Sequence, residues 1–329
     1  MASRVAVGIA GTGSFAPPVV MTNHDFEKLV DTSDEWIVQR TGIRERRFAA
    51  ADQATSDLCL QAARQALAMA KVDPKELDLI VVGTLTPDYL LPSCSALLQA
   101  RLGAVNAGAF DVSAACTGFL TALHTGESFI AAGRAKRVLV LGAECLSRFL
   151  DMQDRTSCIL FGDGAGAAVL MPHEECKSGE ILRTTLGADG QGFDFIHMRG
   201  GGSKVPPSAE SVARGDHFIR LRGREVFRFA VTKMADLIGE MCEGYDPSEL
   251  GLVVPHQVNQ RIIEAAVDRL GWSMDKVFVN IDKYGNTSAA TVPMAFHEAL
   301  EQGRIEKGKL VVFVAFGAGL TWGGTLVRW

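Results

Sequence analysis

One order of elements occurs twice in this chain of 329 residues. ELDLIVVG, PSCSALLQARLG, DVSAACTGFLTAL and AAGRAKRVLVLGAE run through the first half. ELGLVVPH, QRIIEAAVDRLG, YGNTSAATVPMAF and EQGRIEKGKLVVFVAFG run through the second. Each series reads as an apolar strand, a loop, a helix ending in Leu-Gly, a second strand, a small-residue turn, a helix ending near Gly-Arg, and another strand. The spacing agrees, with 39 residues from Leu77 to Cys116 and 36 from Leu250 to Asn286. The chain therefore reads as two duplicated α/β halves. The polar stretch MPHEECKSGE, with Pro172 and Gly179, separates them, and EILRTTLGADG after it echoes the opening SRVAVGIAGTG. The expected halves are 1 to 172 and 173 to 329. In such an arrangement the turns after equivalent strands converge where ligands bind, which directs attention to SAAC, VPHQVN and YGNTS.

Composition narrows the class. Apolar residues at 47 % and charged ones at 22 % fit an ordinary soluble fold and exclude disordered, collagen-like and disulfide-framework chains. With Lys+Arg 33 against Asp+Glu 38, the net charge of −5 gives no drive toward nucleic acid or anionic membranes. No apolar run reaches the ~18 residues of a spanning helix. The start MASRVAVGIAGTGSFAPP is broken by Gly11, Gly13, Pro17 and Pro18 before a signal segment is complete, so the mature chain is expected to begin there. The cysteines at 59, 94, 116, 145, 158, 176 and 242 form no CxxC pair. They read as reduced thiols of a cytoplasmic protein, with no zinc or other metal site.

Cys116 lies in DVSAACTGFLTAL, where small residues end a strand and a helix is expected to begin at about Cys116. A helix N-terminus lowers a thiol's pKa and receives anions, so the position suits a nucleophile. The alternative is a packed apolar thiol, the reading given to the other six. His256 follows the strand LGLVVP and opens HQVNQRIIEAAVDRLG; Asn286 opens a helix in YGNTSAATVPM. Each has a structural alternative, a satisfied core histidine and an N-cap or turn asparagine. The duplication places Asn286 opposite Cys116, with His256 on a neighbouring strand end.

FGAGLTWGG after KLVVFVAF reads either as a tight hairpin or as a loop aiming backbone N–H groups into a cleft. FGDGAGAAVL suggests close backbone packing between layers. GIAGTGSF lacks the helix a dinucleotide fingerprint requires, so no nicotinamide site is implied. RERR (44 to 47) and IRLRGREVFRF (219 to 229) read as solvated faces or as receivers of an acidic or phosphate-bearing partner. Trp36 and Arg40, four apart, either pack on a helix surface or hold an aromatic base and its phosphates.

In order along the chain, DTSDEWIVQRTGIRERR, DVSAACTGF, FGDGAGAAVL, VPHQVNQRII, YGNTSAA and FGAGLTWG resemble the β-ketoacyl-acyl-carrier-protein synthase III family of condensing enzymes. The resemblance spans almost the whole chain. It implies a thiolase-like α/β fold, two duplicated halves in αβαβα layers, usually as a homodimer. It implies that Cys116 accepts an acyl group from acyl-CoA and that His256 and Asn286 act on malonyl-acyl-carrier protein. The oxyanion of the acyl group would face the backbone N–H groups of Cys116 and Ala318. By resemblance Thr32, Trp36, Arg40, Arg155 and Asn259 contact CoA, which is a substrate, no bound cofactor being implied. Gln257, Arg261, Arg228 and Arg269 correspond to the carrier-protein docking surface. Two positions depart from the family pattern. Ala318 replaces a glycine, and Leu91 stands where a phenylalanine often closes the acyl pocket across the dimer. The expected activity is initiation of fatty-acid synthesis from a short acyl-CoA, acetyl-CoA foremost. The alternatives are a polyketide or secondary-metabolite synthase using longer or branched primers, a Cys-His-Asn hydrolase, and a non-catalytic binding protein.

Overall fold

The computed structural model describes residues 5 to 329; the first four residues of the opening MASRVAVG segment lie outside the described residues. Nine strands form the main sheet: β1 (Val7–Phe15), β2 (Leu79–Gly83), β3 (Gly108–Val112), β4 (Val138–Glu144), β5 (Gly164–Pro172), β6 (Glu180–Ala188), β7 (Leu250–Pro255), β8 (Leu310–Gly317) and β9 (Thr321–Arg328). Their order is β7-β8-β9-β6-β1-β5-β4-β2-β3. Strands β2, β3 and β4 run parallel, as do β7 and β8, while β1, β5, β6 and β9 join antiparallel. The two sets meet between β1 and β6 at one pair, Gly8 with Glu180. The second set has four strands against five, and the counterpart of β3 shrinks to a single parallel bridge, Val253 with Val277.

Seven helices have eight residues or more among the described residues: α1 (Asp34–Thr41), α2 (Thr55–Ala70), α3 (Cys94–Leu102), α4 (Gly118–Ala131), α5 (Gly223–Cys242), α6 (Gln260–Leu270) and α7 (Thr291–Glu301). The two Leu-Gly endings are left-handed caps, Gly103 after α3 (φ +70°) and Gly271 after α6 (φ +69°).

The alternation of side chains along each strand divides the interior into three cores. Leu79, Val81, Val138, Val140, Ala168 and Leu170 point inward, as do Leu252, Val254, Val311 and Phe313 from the other set. All pack on Phe119, Leu120 and Leu123 of α4 and Val292 and Phe296 of α7. The opposite faces, Ile80, Val82, Leu139, Leu141, Ala167 and Val169, lie against Leu58, Ala62 and Ala66 of α2 and Leu98 of α3. Val253, Val312 and Val314 lie against Met234 and Ile238 of α5 and Ile262, Ile263 and Val267 of α6. The result is five layers, αβαβα, with α4 and α7 in the middle. Each fully buried aliphatic side chain contributes roughly 1.5–3 kcal/mol, so the central layer is the most heavily stabilised part of the molecule. That layer also carries the turns that open α4 and α7.

The glycine runs set how closely these layers approach. A Cβ on Gly166 of β5 would lie 2.6 Å from Pro293 Cβ of α7. A Cβ on Gly13 of β1 would overlap the Ala62 carbonyl of α2, so GIAGTGSF is a strand seated directly on a helix backbone. Outside the layers, residues 19 to 48 pack on Cys158, Ile159 and Ile281. Here the reading of RERR as a solvated or partner-facing cluster is corrected at Arg46, which is 0 % exposed, while Arg44 is exposed. The Arg46 guanidinium donates to Asn23 Oδ1 at 2.8 Å, to Met21 O at 3.2 Å and to Ile159 O, and lies 4.6 Å from the Phe26 ring centroid. Burial lowers its pKa to about 10, which leaves it a cation at neutral pH.

Replacing Gly13 by Val forces β1 off α2. Overpacking of this kind costs roughly 1–3 kcal/mol or more. Urea unfolding of Gly13→Val is expected to show that loss, and an unchanged midpoint would refute the close-contact account.

Candidate active site

The nucleophile turn follows β3. Ala115 takes a left-handed backbone (φ +48°), residues Ala115–Thr117 form one tight turn, and α4 starts at Gly118, two residues later than expected. The second half repeats this form. Ser288 has φ +50°, Ser288–Ala290 form the tight turn, and α7 starts at Thr291. Structurally Ala115 therefore matches Ser288 and Cys116 matches Ala289, so Asn286 is the counterpart of Ser113. The two turns meet through bare backbone. A Cβ on Gly142 would overlap the Ala289 carbonyl, and one on Gly118 would lie 3.1 Å from Ala289 Cβ.

Ser288 joins the groups singled out from the sequence. Its hydroxyl donates to Glu144 Oε1 at 3.1 Å. Its amide donates to Asn286 Oδ1 at 2.8 Å. Its carbonyl accepts from Thr291 Oγ1 at 2.9 Å, and Thr291 Oγ1 lies 2.6 Å from His256 Nδ1. The structure thus ties His256 and Asn286 together through Thr291 and Ser288, on the turn that lies against the Cys116 turn. Ser288 and Glu144 were not found in the sequence reading. The only signals were a serine inside YGNTSAA and a glutamate ending an otherwise apolar strand.

Cys116 is half-buried. Burial pushes its thiol up to about 12, and the nearby Glu144 carboxylate adds to the rise. The pKa-lowering expected from a helix N-terminus is therefore outweighed. His256 is 0 % exposed, packs edge-on to Phe316 with centroids 5.6 Å apart, and donates its backbone N–H to Val314 O at 2.7 Å. Burial lowers its pKa to about 3, and Nε2 is buried without a partner. Asn286 is buried, with its backbone held by Leu160 and Gly162. Because its Oδ1 is engaged by Ser288, its amide nitrogen is the end left to donate.

Glu144 is 0 % exposed, and one oxygen collects four donors: Thr84 Oγ1, Leu85 N and Thr86 N at 3.2 Å each, and Thr86 Oγ1 at 2.7 Å. Burial nevertheless raises its pKa to about 7.

The glycine loop is a tight hairpin joining β8 to β9, and it also lies against the nucleophile. A Cβ on Gly317 would be 2.7 Å from Cys116 N. Thr321 Oγ1 ties the hairpin to this turn through Thr117 Oγ1 at 3.1 Å and Ala114 O at 3.3 Å. The left-handed positions fall on Gly319 and Leu320, so Ala318 occupies a site that requires no glycine.

At the mouth, Trp36 is flanked by the Arg40 guanidinium at 5.2 Å and that of Arg155 at 5.3 Å from its ring centroid. Arg155 is anchored to Asp31 O at 2.7 Å. Thr32 Oγ1 is buried nearby in sequence and has no partner. Asn259 caps α6, accepting from Arg261 N at 2.9 Å, and donates to Arg40 O at 3.0 Å, so it pins α6 to α1. Arg228, Arg261 and Arg269 are exposed. Gln257 corrects the docking expectation, because it is 1 % exposed and cannot form a surface. Its amide bridges Pro255 O at 2.9 Å, Phe278 O at 3.1 Å and Asn280 N at 3.0 Å. Leu91 is 83 % exposed, so within a single chain it does not close a pocket.

Among the described residues no group of three or more His, Cys, Asp or Glu is placed to hold a metal ion, and no helix is long and apolar enough to cross a membrane.

Comparison with known proteins agrees with this geometry. Residues 110 to 190 match the family model described as 3-oxoacyl-[acyl-carrier-protein (ACP)] synthase III, and 242 to 329 match its C-terminal counterpart. A β-ketoacyl-[acyl-carrier-protein] synthase III of Caldanaerobacter subterraneus subsp. tengcongensis is 49 % identical over 331 residues, covering 100 % of this chain and 99 % of the relative. The crystal structure of 3-oxoacyl-[acyl-carrier-protein] synthase III from Aquifex aeolicus superposes with a TM-score of 0.90 at 46 % identity, over 98 % of this chain and 100 % of that one. The priming β-ketosynthase of the R1128 polyketide pathway gives 0.91 at 36 % identity, over 100 % and 98 %. With full-length identity of this order and the same fold, the chain belongs to the β-ketoacyl-[acyl-carrier-protein] synthase III family, the condensing acyltransferases of thiolase fold.

Proposed function

We propose that this protein condenses a short acyl-CoA, acetyl-CoA foremost, with malonyl-acyl-carrier protein to give 3-oxoacyl-acyl-carrier protein, CoA and CO2, the step that initiates fatty-acid synthesis. The observation that carries the reading is the meeting of the Cys116 turn with the turn whose Ser288 and Thr291 hold an amide with its donor end free and a neutral imidazole. Cys116 Sγ attacks the thioester carbon, and the oxyanion is received by the N–H groups of Cys116 and Ala318. CoA leaves, and an acyl-cysteine remains. Malonyl-acyl-carrier protein then loses CO2, and its enolate oxygen is held by His256 Nε2–H and Asn286 Nδ2–H. The enolate carbon attacks the acyl group and releases the Cys116 sulfur. Each oxyanion donor contributes ~3 kcal/mol.

The tautomer of His256 follows from Thr291. That hydroxyl has one proton to give, either to Ser288 O or to His256 Nδ1. When it turns to Nδ1, the imidazole carries its proton on Nε2 and becomes the donor the enolate needs. Imidazole rather than imidazolium does this work, since burial keeps His256 neutral down to about 3. The same contacts disfavour a hydrolase, in which Asn would orient His. Here Thr291 orients His256, and Asn286 serves Ser288.

Thr32, Trp36, Arg40, Arg155 and Asn259 form the CoA entrance in this reading, with adenine inserted between Trp36 and Arg155 after the guanidinium leaves the indole. The exposed Arg228, Arg261 and Arg269 suit an acidic carrier protein. No bound cofactor enters these steps. A homodimer fits the unpaired outer edge of β3 and the exposed run Tyr89, Leu90 and Leu91. A second copy would then take Leu91 as the floor of its acyl pocket. Free cysteines, including Cys59 and Cys94 with sulfurs 3.9 Å apart, fit a reducing cytoplasmic setting. The 36 % identity to a polyketide priming synthase, together with leucine at the pocket floor, supports longer or branched primers as the second reading.

Intact-mass analysis after incubation with acyl-CoAs from acetyl to long chain decides the primer. The expected result is a short-chain adduct on Cys116, absent in Cys116→Ser and discharged by malonyl-acyl-carrier protein. An adduct only with long or branched chains selects the second reading, and none at all removes Cys116 as nucleophile. In Cys116→Ala, decarboxylation of malonyl-acyl-carrier protein should continue with no inflection near the ordinary imidazole pKa of about 6.5. Adding His256→Ala should slow it ~10²-fold; an inflection there that His256→Ala abolishes would show a titrating histidine instead. Sedimentation should give a dimer for the parent protein and a monomer for Leu90→Asp. A monomeric parent would rule out Leu91 as a partner's pocket floor.

A further inference from the structure

Two donors that serve one enolate oxygen must each come within about 2.7–3.1 Å of it, so their separation has to be fixed. His256 and Asn286 belong to different segments with separate backbone anchors. His256 N donates to Val314 O at 2.7 Å, while Asn286 N donates to Leu160 O at 2.8 Å and Asn286 O accepts from Gly162 N at 3.1 Å. The pairing of β7 with the segment that leads to Asn286 ends early. It consists of the bridge between Val253 and Val277 and the bond from Phe278 N to Val253 O at 2.9 Å. Beyond that point the side-chain amide of Gln257 supplies the next rung. Its nitrogen donates to Phe278 O at 3.1 Å and its oxygen accepts from Asn280 N at 3.0 Å, so its two ends flank Val279 as a parallel strand peptide would. The same nitrogen turns back to Pro255 O at 2.9 Å, on the other side of His256 in the chain. Both hydrogens and the oxygen of the amide are thereby used, in a side chain 1 % exposed.

We infer that Gln257, with Asn280 behind it, is a positioning residue that fixes the separation of His256 and Asn286, and so governs the malonyl half of the reaction and not the acylation half. The inference rests on the reading of His256 and Asn286 as the donors to the enolate oxygen. From Asn280 the chain makes one helical turn, Ile281–Tyr284, and reaches Asn286 through Gly285 at φ +64°. Gln257 therefore grips the start of the run that ends in Asn286, from the position next to His256. The far side of that run is held by α7. Asn280 Nδ2 donates to Glu298 Oε2 at 2.8 Å, and Lys283 Nζ donates to Glu298 Oε1 at 2.5 Å. Glu298 lies on the helix whose first residue, Thr291, contacts His256 Nδ1. The two donors are thus spaced by a closed circuit, β7 to Gln257 to Asn280 to α7 and back to His256. Gln257 itself has no polar atom left for a substrate.

Only an amide can close this circuit. A carboxylate would serve Asn280 N but has no hydrogen for the two carbonyls, and an apolar side chain would serve none of the three. Phe278 and Asn280 are 3 % exposed, so the groups released by a leucine at 257 gain a partner only if their segment moves toward water. A shift of about 1 Å at a reacting group costs as much as ~10²-fold in rate. The acylation machinery is attached elsewhere. Cys116 sits on the turn after β3, the hairpin that faces its amide joins β8 to β9, and the side-chain bonds of Gln257 go to 255, 278 and 280 instead.

The test measures the two half-reactions separately in the full-length protein. Acylation by acetyl-CoA is followed by intact mass in the parent protein and in Gln257→Leu. Decarboxylation of malonyl-acyl-carrier protein is followed by CO2 release in Cys116→Ala, with and without Gln257→Leu. The expected outcome is acylation within ~2-fold of the parent and a decarboxylation kcat between ~10- and ~10²-fold lower, with KM little changed. Circular dichroism establishes that each variant is folded. Should Gln257→Leu not fold, Asn280→Ala leaves the three Gln257 bonds in place, removes the tie to Glu298, and is expected to give the same split at smaller size. Equal losses in the two half-reactions show a merely structural role and overturn the inference, as does a folded variant that decarboxylates at the parent rate. If His256→Ala and Asn286→Ala leave decarboxylation in Cys116→Ala unchanged, it is the reading of those residues as enolate donors that falls.

Discussion

The site depends on one residue held in the left-handed region. At φ +50° the backbone of Ser288 sends its hydroxyl, amide and carbonyl in three directions. Each meets a different group: the Glu144 carboxylate, the Asn286 side chain, and Thr291 with His256 behind it. A residue in ordinary helical geometry would point its carbonyl along α7 and its amide back into the turn. The strain of such a conformation, of order 1–3 kcal/mol, is offset here by three buried hydrogen bonds worth about 1 kcal/mol each. The repeat supplies the geometry twice, and Ala115 has the same backbone form at φ +48°. In the first half the turn places a nucleophile. In the second it places the groups around that nucleophile.

That division works only because the two turns lie almost in contact. Gly118 and Gly142 carry no Cβ where the Ala289 backbone and side chain pass, and Gly317 leaves room for the Cys116 amide. Small residues in SAACTG, VLVLGAE and FGAG thus serve a common purpose, because they let backbone from both halves reach one point. The five-layer stack makes that point rigid. Helices α4 and α7 are buried between the two strand sets, so the turns at their N-termini move only if the central core does.

Much of this was legible in the sequence, for physical reasons that also explain the rest. Strand runs and Leu-Gly helix ends are local signals, and they disclosed the duplicated α/β halves, while the five layers came from the family resemblance. Cys116 and Asn286 stand in small-residue turns ahead of helices, and His256 follows a strand end, so residue type and position together marked them. Ser288 and Glu144 carried no such mark. A serine in a turn and a glutamate at a strand end are ordinary, and their importance arises only when distant segments meet. Gln257 and Arg46 failed in the other direction. Polarity suggested surface for Arg46 and the family resemblance did so for Gln257, yet each is buried and satisfies several backbone groups of separate segments. Buried polar residues of that kind are invisible until the loops they join are known.

The two shifted groups of the site also weigh on stability in opposite directions. Glu144 binds its proton more tightly in the folded chain, at about 7, than an unfolded glutamate does. Its contribution is fully present below the unfolded value of about 4.5. That contribution is withdrawn as pH rises from there through 7. His256 is the reverse, since its folded value of about 3 lies below the unfolded value. Its contribution is present above about 6.5 and is lost as pH falls toward 3. Near neutrality the histidine is therefore fully accommodated while the carboxylate is at its transition. A chain selected for stability alone would keep Glu144 protonated or replace it by an apolar side chain. Glu144 instead keeps a buried carboxylate with no cation beside it, and by accepting from Ser288 on one oxygen and from Thr84, Leu85 and Thr86 on the other it ties the second turn of the site to the first half of the chain.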